Sequence, residues 1–409
     1  MLGPTRHQFE KKLELVAADA GYHEALRQQF YAMQSQNVPV VFSLRHLARL
    51  SGVSWKGLRS VVQRKTIETD YRVYPKDKSS GGQRWICVPS TELRTVQTWI
   101  NRNILRSPGM ASRHQRACQA YKTGSSILEN ARQHAGAPWI VKVDIKNFFE
   151  SVSERQVYWV FREMNYPALL SFEMARICTR VLPKAKDRTR NRELKWRWIE
   201  RNHGINPNSP YPASESGHLP QGAPTSPLLS NLVLTTFDKR IAAIANQEGA
   251  TYTRYADDLV LSFSDGSRVQ AQRVLKIVRR ALGAFGFIVN RKKTHVLGPG
   301  ARKVVTGLVV NDKEPRLKRK TKNHIEVVLY HIETKGLIEH ARRVRSKHPI
   351  SYLNHLSGLI QFARWVEPAF GQNAQNRLNA ICEQNAIALQ ALHEFSSGQD
   401  FITKYTFNR

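Results

Sequence analysis

The chain has 409 residues, of which 41% are hydrophobic, so it can bury a core and form two or three domains. Its 63 Lys and Arg residues against 32 Asp and Glu give a formal net charge of +31. This excess indicates a polyanionic partner, and nucleic acid is favoured over a membrane surface because no long Lys-rich amphipathic helix stands out. The sequence has no run of about 20 apolar residues, no secretory signal and no CxxC pair, so we expect a cytoplasmic protein without a zinc site.

The N-terminal part, residues 1–65, carries apolar side chains at helical spacing with Arg and Lys on the opposite face, which predicts helices. From about residue 71, YRVYPKDKSSGGQRWICVPS has strand-forming residues on both sides of a Ser-Ser-Gly-Gly turn and predicts a β-hairpin. A short apolar strand is predicted within 138–149. The segment 184–218 begins dense in Arg, Lys and Trp and ends rich in Pro and Ser, which is typical of an exposed basic insertion.

The later part of the chain predicts a long helix at 226–246, a pair of strands at 251–263 and a basic helical region from about 313. In TYTRYADDLVLSF, residues 251–263, the turn between the strands falls at Ala256-Asp257. The adjacent carboxylates of Asp257 and Asp258 would therefore lie at the tip of a hairpin. Adjacent aspartates also favour turns through local hydrogen bonds, so this segment alone leaves a purely structural interpretation open.

Asp144 ends the apolar strand WIVKVD. A carboxylate there is costly to bury unless the strand end opens on a site or a cation compensates it, although an ordinary strand-edge aspartate is the other interpretation. Together with Asp257 and Asp258, it gives three carboxylates from two neighbouring strands. Oxygen ligands of this kind select Mg²⁺, and they can hold two ions about 3.5–4 Å apart between an attacking hydroxyl and a triphosphate.

A third element, HLPQGAPTSPLLSNL at 218–232, combines a Pro-Gln-Gly turn and a Pro-Thr-Ser-Pro turn before a helix. Ser226 is the predicted cap of this helix, with Pro227 at its first position. The small residues of the turns let a template and an incoming base approach the backbone closely. A Pro-rich loop before a helix is the simpler interpretation, but the order of the three elements is much less expected by chance than any one of them.

These segments resemble the motifs of bacterial reverse transcriptases, specifically those of the retron type. Asp144 matches the family's first catalytic aspartate, PQGAPTSP its template- and nucleotide-contacting motif, and YADD its catalytic box. The NAxxH signature at 130–134 and the VTG signature at 305–307 are associated with retron enzymes. KSSGGQRWICVPS is similar to the fingers pattern GGxRxIxxP, and NRKKTH to the Asn-Lys region after the box. The seven matches occur in the family's order over roughly residues 70–360.

The resemblance implies an α+β fold of the right-hand polymerase type, with an antiparallel palm sheet and helical N-terminal and thumb regions. The expected divisions are a helical N-terminal region at 1–65, fingers at 66–140, a palm at 141–312 that contains the 184–218 insertion, and a helical RNA-binding thumb at 313–409.

In the active site that the resemblance implies, Asp144 and Asp257 bind both of two Mg²⁺ ions, Asp258 completes the site and the Ile145 carbonyl joins them. Phe149, five residues past Asp144, falls where the family keeps a bulky gate against the ribose 2′-OH. A core aromatic beside Phe148 is the alternative interpretation of Phe149.

The residues expected to contact the incoming nucleotide or its phosphates are Lys76, Arg84, Gln221, Gly222 and Lys293. Arginine suits triphosphate oxygens because its guanidinium donates two parallel hydrogen bonds. The spacing does not separate Lys76 from Lys78. Lys293 is the candidate for protonating pyrophosphate, with Lys292 next. Any one of these lysines could instead be a solvated surface charge.

Asn130 and His134 lie four residues apart and would share one face of a helix. The retron signature implies that they contact the RNA or the first nucleotide, whereas a lone histidine is usually a packing or capping residue. Tyr252, Arg254 and Tyr255 are candidates for a primer grip, with core packing as the alternative for one of the tyrosines. The thumb residues expected to bind the RNA backbone are Arg316, Lys318, Arg319, Lys320, Arg342 and Arg343.

The function implied is RNA-directed DNA polymerisation on one structured noncoding RNA, primed from an internal guanosine 2′-OH. The product would be a branched RNA–DNA hybrid (msDNA), made from dNTPs and used in anti-phage defence beside a separate effector protein. One alternative is a group II intron-like or other non-retron reverse transcriptase, which the NAxxH and VTG matches and the absence of a maturase or endonuclease extension disfavour. The other is a catalytically idle nucleic-acid-binding protein, which would not need three converging acids.

Overall fold

The computed structural model describes residues 6–15, 19–78, 81, 83–113, 116–181, 217–344 and 349–385. The basic insertion predicted at 184–218 lies outside the described residues, apart from its last two positions. The chain divides into two compact units. Unit 1 comprises Met1–Ser126 and Pro138–Pro299, and unit 2 comprises Ile127–Ala137 and Gly300–Arg409.

The α+β fold class is confirmed by a chain that combines helices with one four-stranded sheet and two two-stranded hairpins. The described helices are α1 (Arg6–Glu14), α2 (Ala20–Ser35), α3 (Leu44–Ser51), α4 (Trp55–Val62), α5 (Thr91–Trp99), α6 (Pro108–Ala111), α7 (Ile127–Arg132), α8 (Phe148–Ser151), α9 (Glu154–Glu163), α10 (Ala168–Cys178), α11 (Ser226–Val233), α12 (Thr235–Gln247), α13 (Arg268–Ala284), α14 (Arg319–Lys335), α15 (Leu337–Arg343), α16 (Pro349–Val366) and α17 (Pro368–Gln384). The described strands are β1 (Tyr71–Asp77), β2 (Gln83–Pro89), β3 (Trp139–Asp144), β4 (Ala250–Tyr255), β5 (Asp258–Phe263), β6 (His295–Leu297), β7 (Val304–Val305) and β8 (Leu308–Val309).

The central sheet of unit 1 has the strand order β4-β5-β3-β6, and all its pairings are antiparallel. Its inner strands are almost wholly apolar, with Val141, Val143, Leu259 and Leu261 fully buried. Helix α13 packs against β3 and helix α12 against β4. Because β3 and β5 pair antiparallel with Asp144 opposite Asp258, the end of β3 and the β4–β5 turn lie at the same edge of the sheet.

The N-terminal helices of unit 1 form as the apolar spacing predicts, and their ends have local causes. Ser43 caps α3 by accepting a hydrogen bond from the His46 N–H, and Ser54 caps α4 in the same way through Gly57. Gly52 ends α3 with a φ of 71°, a left-handed conformation that glycine adopts without steric cost. The predicted hairpin forms as β1 and β2, which pair antiparallel.

Two local predictions around the Pro-rich turns are wrong. The helix predicted at 226–246 is two helices, because the chain tightens at Leu234, whose N–H donates to the Asn231 carbonyl at 3.2 Å. Ser226 does not cap α11, which begins at this residue. The Ser226 hydroxyl donates instead to the Pro220 carbonyl at 2.7 Å and so ties the start of the helix to the Pro-Gln-Gly turn.

Unit 2 joins α7 to the helices from α14 onward through the β7–β8 hairpin. The Thr306 hydroxyl donates to the Ile127 carbonyl at 2.8 Å, and the Gly136 N–H donates to the Val310 carbonyl at 3.0 Å. These bonds place 127–137 with the C-terminal part of the chain, although the sequence assigns them to the fingers. The four-part division itself stays a prediction. Among the residues that the structure describes, none of the helices has the length and apolar character needed to cross a bilayer.

Candidate active site

Three aspartates meet at one edge of the central sheet. Asp144, the last residue of β3, lies directly opposite Asp258, the first residue of β5. Asp257 precedes it in the β4–β5 turn, and the Ile145 N–H donates to the Asp257 carbonyl at 2.9 Å. The main chain after β3 is thus bonded to the tip of the β4–β5 hairpin, so residues more than a hundred positions apart share one site.

The β4–β5 turn is strained, and a buried charge network supports it. Ala256 has a φ of 56°, an uncommon value for a residue with a side chain. Arg254 is fully buried and donates to the Ala256 carbonyl at 3.1 Å while it forms an ion pair with Asp238 at 2.6 Å. The Tyr252 hydroxyl donates to the same carboxylate at 2.8 Å. Tyr252 and Arg254 are therefore core residues that hold the turn, and the prediction that they line a primer grip is wrong for these two.

Burial and the repulsion between neighbouring carboxylates disfavour the ionised forms of Asp257 and Asp258. Burial, together with the charge of Asp144, raises the pKa of Asp257 to about 6. Burial also raises the pKa of Asp258, and Lys142 opposes this rise through an ion pair at 2.8 Å. Asp144 accepts a hydrogen bond from Asn290 at 2.8 Å and contacts the Lys293 ammonium at 3.1 Å. The site therefore attracts cations.

The donor set is of the kind that holds hard divalent cations, since it offers carboxylate oxygens without nitrogen or sulfur. In addition, Asp258 Oδ1 is buried without a hydrogen-bond partner. A buried carboxylate oxygen needs a partner, and a divalent cation would supply one. Within the described ranges, no three His, Cys, Asp or Glu side chains are arranged as a ready metal group. In this arrangement, Lys142 forms an ion pair with Asp258, and Lys293 forms one with Asp144.

Phe149 lies in the short helix α8, just past the end of β3, and is half-buried. Its ring centroid is 5.5 Å from that of Phe148 and 6.4 Å from that of Tyr121. Tyr121 has a φ of 59°, and burial together with the charge of Asp257 raises its pKa to about 12. Sequence reasoning missed Tyr121, whose place beside Phe149 and near Asp257 carries no local signal.

The Pro-Gln-Gly turn is bonded to the β1–β2 hairpin. The Cys87 N–H of β2 donates to the Gln221 carbonyl at 2.7 Å. Gly222 is exposed and has a φ of 116°, and a Cβ built there would lie 2.8 Å from the Cys87 carbonyl oxygen. Only glycine fits this position without displacing backbone, so the main chain of the turn has a fixed place beside β2.

The lysines and the arginine predicted to contact phosphate differ in their surroundings. Lys76 and Arg84 are cross-strand partners on the β1–β2 hairpin and are both exposed. Lys78 is half-buried, and its charge acts on Glu150, a half-buried residue of α8 whose pKa is raised by desolvation. Lys293 contacts Asp144, and the structure shows no such contact for Lys292. The geometry thus brings Lys293 to the aspartates.

Asn130 and His134 lie in unit 2 and are fully buried. The Asn130 side-chain amide donates to the Thr306 hydroxyl at 3.4 Å, so the NAxxH and VTG signatures meet inside this unit. Burial lowers the pKa of His134 to about 3, which keeps the ring neutral at physiological pH. Neither side chain is open to RNA in this arrangement, and their contact with RNA stays a prediction.

The basic residues predicted in the thumb are at the surface of unit 2, with Lys318 half-buried and the others exposed. Arg316 pairs with Asp312 at 3.1 Å and Arg342 with Glu339 at 3.9 Å, contacts worth little at exposed positions. The remaining members of this set are Lys318, Arg319, Lys320 and Arg343.

Comparisons with known proteins agree with the geometry. A family model described as reverse transcriptase (RNA-dependent DNA polymerase) matches residues 74–354. The chain is 28% identical over 356 residues to the retron Ec86 reverse transcriptase of Escherichia coli, with 85% of this chain and 96% of the relative covered. It is 30% identical over 362 residues to the retron Mx162 reverse transcriptase of Myxococcus xanthus, with 85% of this chain and 69% of the relative covered.

Among solved structures, telomerase from Candida albicans in complex with a fragment of telomeric RNA is 12% identical, with a TM-score of 0.41 over 85% of this chain and 69% of that one. The family model matches more than half of the chain, and the Myxococcus relative, which is 30% identical, aligns with 85% of it. The chain therefore belongs to the reverse transcriptase family and is an RNA-directed DNA polymerase of the retron type.

Proposed function

We propose that this polymerase copies a cognate structured noncoding RNA, starting from an internal 2′-OH of that RNA, and releases a branched RNA–DNA hybrid (msDNA). The observation that carries the polymerase part is the meeting of Asp144 with Asp257 and Asp258 at one edge of the sheet. The likeness to retron reverse transcriptases supports the branched product. In this proposal the enzyme acts in the bacterial cytoplasm, in anti-phage defence, beside a separate effector protein.

Asp144, Asp257 and Asp258, with the Ile145 carbonyl, would hold two Mg²⁺ ions, which suit oxygen-only ligands. When bound, the ions supply charge stabilisation at the attacking hydroxyl and at the departing pyrophosphate. The contribution of the chain is to keep these carboxylates in place: Asn290 orients Asp144 by a 2.8 Å hydrogen bond, and Arg254 holds the Ala256 carbonyl of the turn. Lys293, which lies 3.1 Å from Asp144, is the candidate proton donor to pyrophosphate.

The incoming dNTP would lie between the sheet edge and the β1–β2 hairpin, to which the Pro-Gln-Gly turn is bonded through the Cys87 N–H and the Gln221 carbonyl. Gln221 and the Gly222 backbone would contact the nucleotide, and Arg84 with Lys76 or Lys78 its phosphates. Phe149, supported by Tyr121, would exclude a ribose 2′-OH. In the thumb, Arg316, Lys318, Arg319, Lys320, Arg342 and Arg343 would track the phosphates of the RNA duplex, which is recognised more by its shape and backbone than by base edges.

The test of the catalytic assignment is Asp257→Asn. It removes one anionic ligand but leaves the basic surfaces intact, so DNA synthesis with Mg²⁺ and dNTPs should be lost while RNA binding survives. Asp265→Asn is the matched control, because Asp265 is an exposed acid just after β5. Synthesis near the wild-type level in the Asp257 variant would contradict the assignment.

The test of the retron product is to sequence the nucleic acid that co-purifies with the chain. One short RNA joined covalently to DNA through a 2′-OH is the expected result. Intron RNA without attached DNA would favour the group II intron-like alternative, and it would leave the polymerase assignment in place.

A further inference from the structure

A cavity of 570 Å³ lies among the N-terminal helices of unit 1, between α3, α4 and α10. This volume is in the range of small-ligand sites, which measure about 300–1,000 Å³. None of the residues assigned above to catalysis or nucleotide binding lines it. The residues of its wall that carry the argument are Arg45, Trp55, Arg59, Leu169, Leu170 and Glu173.

The first feature of this cavity is an aromatic ring with two cations. The guanidinium carbons of Arg45 and Arg59 lie 4.9 and 5.3 Å from the centroid of the half-buried Trp55 ring. These contacts orient the two arginines at little entropic cost, because a guanidinium is attracted to the face of an aromatic ring. Both arginines remain exposed, so their N–H groups are available to phosphate oxygens.

The second feature is an acid beside an apolar wall. Leu169 is 68% exposed and Leu170 is buried, so the wall offers apolar surface to a ligand. Glu173 is half-buried in the same cavity, where the charge of Arg59 acts on it, and its ionised carboxylate can accept further hydrogen bonds. An amino group on a flat apolar ligand would satisfy this acid, and a second anion would not.

The combination selects among ligand classes. An acidic peptide or a bare phosphate would contact Arg45 and Arg59 but would offer no donor to Glu173 and no flat surface to Leu169 and Leu170. A nucleotide brings a phosphate for the arginines, a flat base for the apolar wall and, in adenine, cytosine and guanine, an exocyclic amine for the acid. In a duplex the base edges and faces are occupied, so the nucleotide must be unpaired.

We propose that this cavity binds one unpaired nucleotide with an amino-bearing base, from a single-stranded segment of nucleic acid held outside the polymerase site. Arg45 and Arg59 contact its phosphate, Leu169 and Leu170 pack against its base, and Glu173 accepts a hydrogen bond from its amine. The site anchors a single strand and takes no part in nucleotide addition, so it does not depend on the function proposed above.

The experiment measures the fluorine NMR resonance of Trp55 in the full-length chain. The eight tryptophans are labelled with 5-fluorotryptophan, and the Trp55 resonance is assigned by its loss in Trp55→Phe. Tetranucleotides of cytidine and of uridine, in both ribo and deoxy forms, are titrated at constant salt. The cytidine oligonucleotides should shift the Trp55 resonance at about tenfold lower concentration than the uridine ones, since one good base contact discriminates by about 1–3 kcal/mol. The ribo and deoxy forms tell whether RNA or DNA is the preferred strand.

Two sets of variants make the result specific. Glu173→Ala should bring the cytidine-to-uridine affinity ratio to about one, because only the amine contact is lost. The double variant Arg45→Ala and Arg59→Ala should weaken both oligonucleotides at least fivefold. The double variant Arg279→Ala and Arg280→Ala removes the same charge from an exposed part of α13 and should leave the Trp55 titration unchanged. DNA synthesis on a primed homopolymer should stay at the wild-type level in all of them.

Several results would overturn the proposal. A Trp55 resonance that does not move at saturation would show that no strand enters the cavity. An equal response to cytidine and uridine, or to inorganic phosphate alone, would show that no base is recognised. If the double variant in α13 weakened oligonucleotide binding as much as the cavity variant, the loss of affinity would be due to overall charge. Loss of DNA synthesis in the cavity variants would indicate structural damage in place of a binding role.

Discussion

Replacement of Asp238 by Asn tests whether a buried ion pair supports the catalytic turn. Asp238 in α12 is 1% exposed, and Arg254 is fully buried against it. Burial by itself lowers the pKa of Arg254, but Asp238 outweighs this effect and raises it, so the guanidinium stays charged. The carboxylate accepts from Arg254 Nε at 2.9 Å, from Nη2 at 2.6 Å and from the Tyr252 hydroxyl at 2.8 Å.

The expected loss of unfolding free energy follows from the hydrogen bonds that an asparagine cannot accept at this position. An asparagine has one acceptor oxygen, so whichever way its amide is turned, an NH₂ group faces the donors of Arg254 or Tyr252. The charge of Arg254 is then left buried without its counterion. Removal of one partner of a buried pair costs about 3–5 kcal/mol. For a unit of this size, that corresponds to a fall of roughly 6–10 °C in the midpoint of thermal unfolding.

The assay combines thermal unfolding with DNA synthesis. Because Arg254 also donates to the Ala256 carbonyl, a loosened guanidinium should displace the Asp257 turn and lower synthesis at temperatures where the variant is still folded. Asp265→Asn is the control, since it removes the same charge from an exposed position. An Asp238→Asn midpoint within 1 °C of this control, by the scale of about 2 °C for each kcal/mol, would refute the reasoning.

Three further predictions concern the gate, the Pro-Gln-Gly turn and pH. Phe149→Ala should reduce the preference for dNTPs over rNTPs roughly tenfold in primer extension, and an unchanged ratio would count against a steric gate. Gly222→Ala should destabilise the turn by about 1–3 kcal/mol and lower synthesis, because its Cβ would meet the Cys87 carbonyl. Gly249→Ala, which has positive φ but no neighbour within 4 Å, should leave synthesis intact, so equal losses would contradict the clash. Because burial lowers the pKa of His134 from 6.5 to about 3, the unfolded chain binds a proton in this window that the folded chain does not, and stability falls as the pH drops below 6.5. His134→Gln should remove about 2 kcal/mol of the loss of unfolding free energy between pH 7 and pH 5 in urea titrations, and an unaltered pH dependence would show that the ring titrates normally.

The sequence by itself was enough to identify the family and the three aspartates. Strands, hairpins and turns depend mostly on near neighbours, so the alternation in TYTRYADDLVLSF and the Gly-rich turn before Gln83 were readable without a structure. The order of the motifs along the chain then identified Asp144 as the third carboxylate of the site. The net charge of +31 likewise needed only a count of residues.

Only the tertiary structure decided which distant residues support those acids. Nothing near Arg254 in the sequence shows that its partner is Asp238 in another element, and the same is true of Tyr121 beside Phe149. Thr306 lies 176 positions from Asn130, yet the two are hydrogen-bonded in unit 2. Such pairs depend on how helices pack on the sheet and on which polar groups must find a partner once buried, and the local pattern of a sequence does not encode either one.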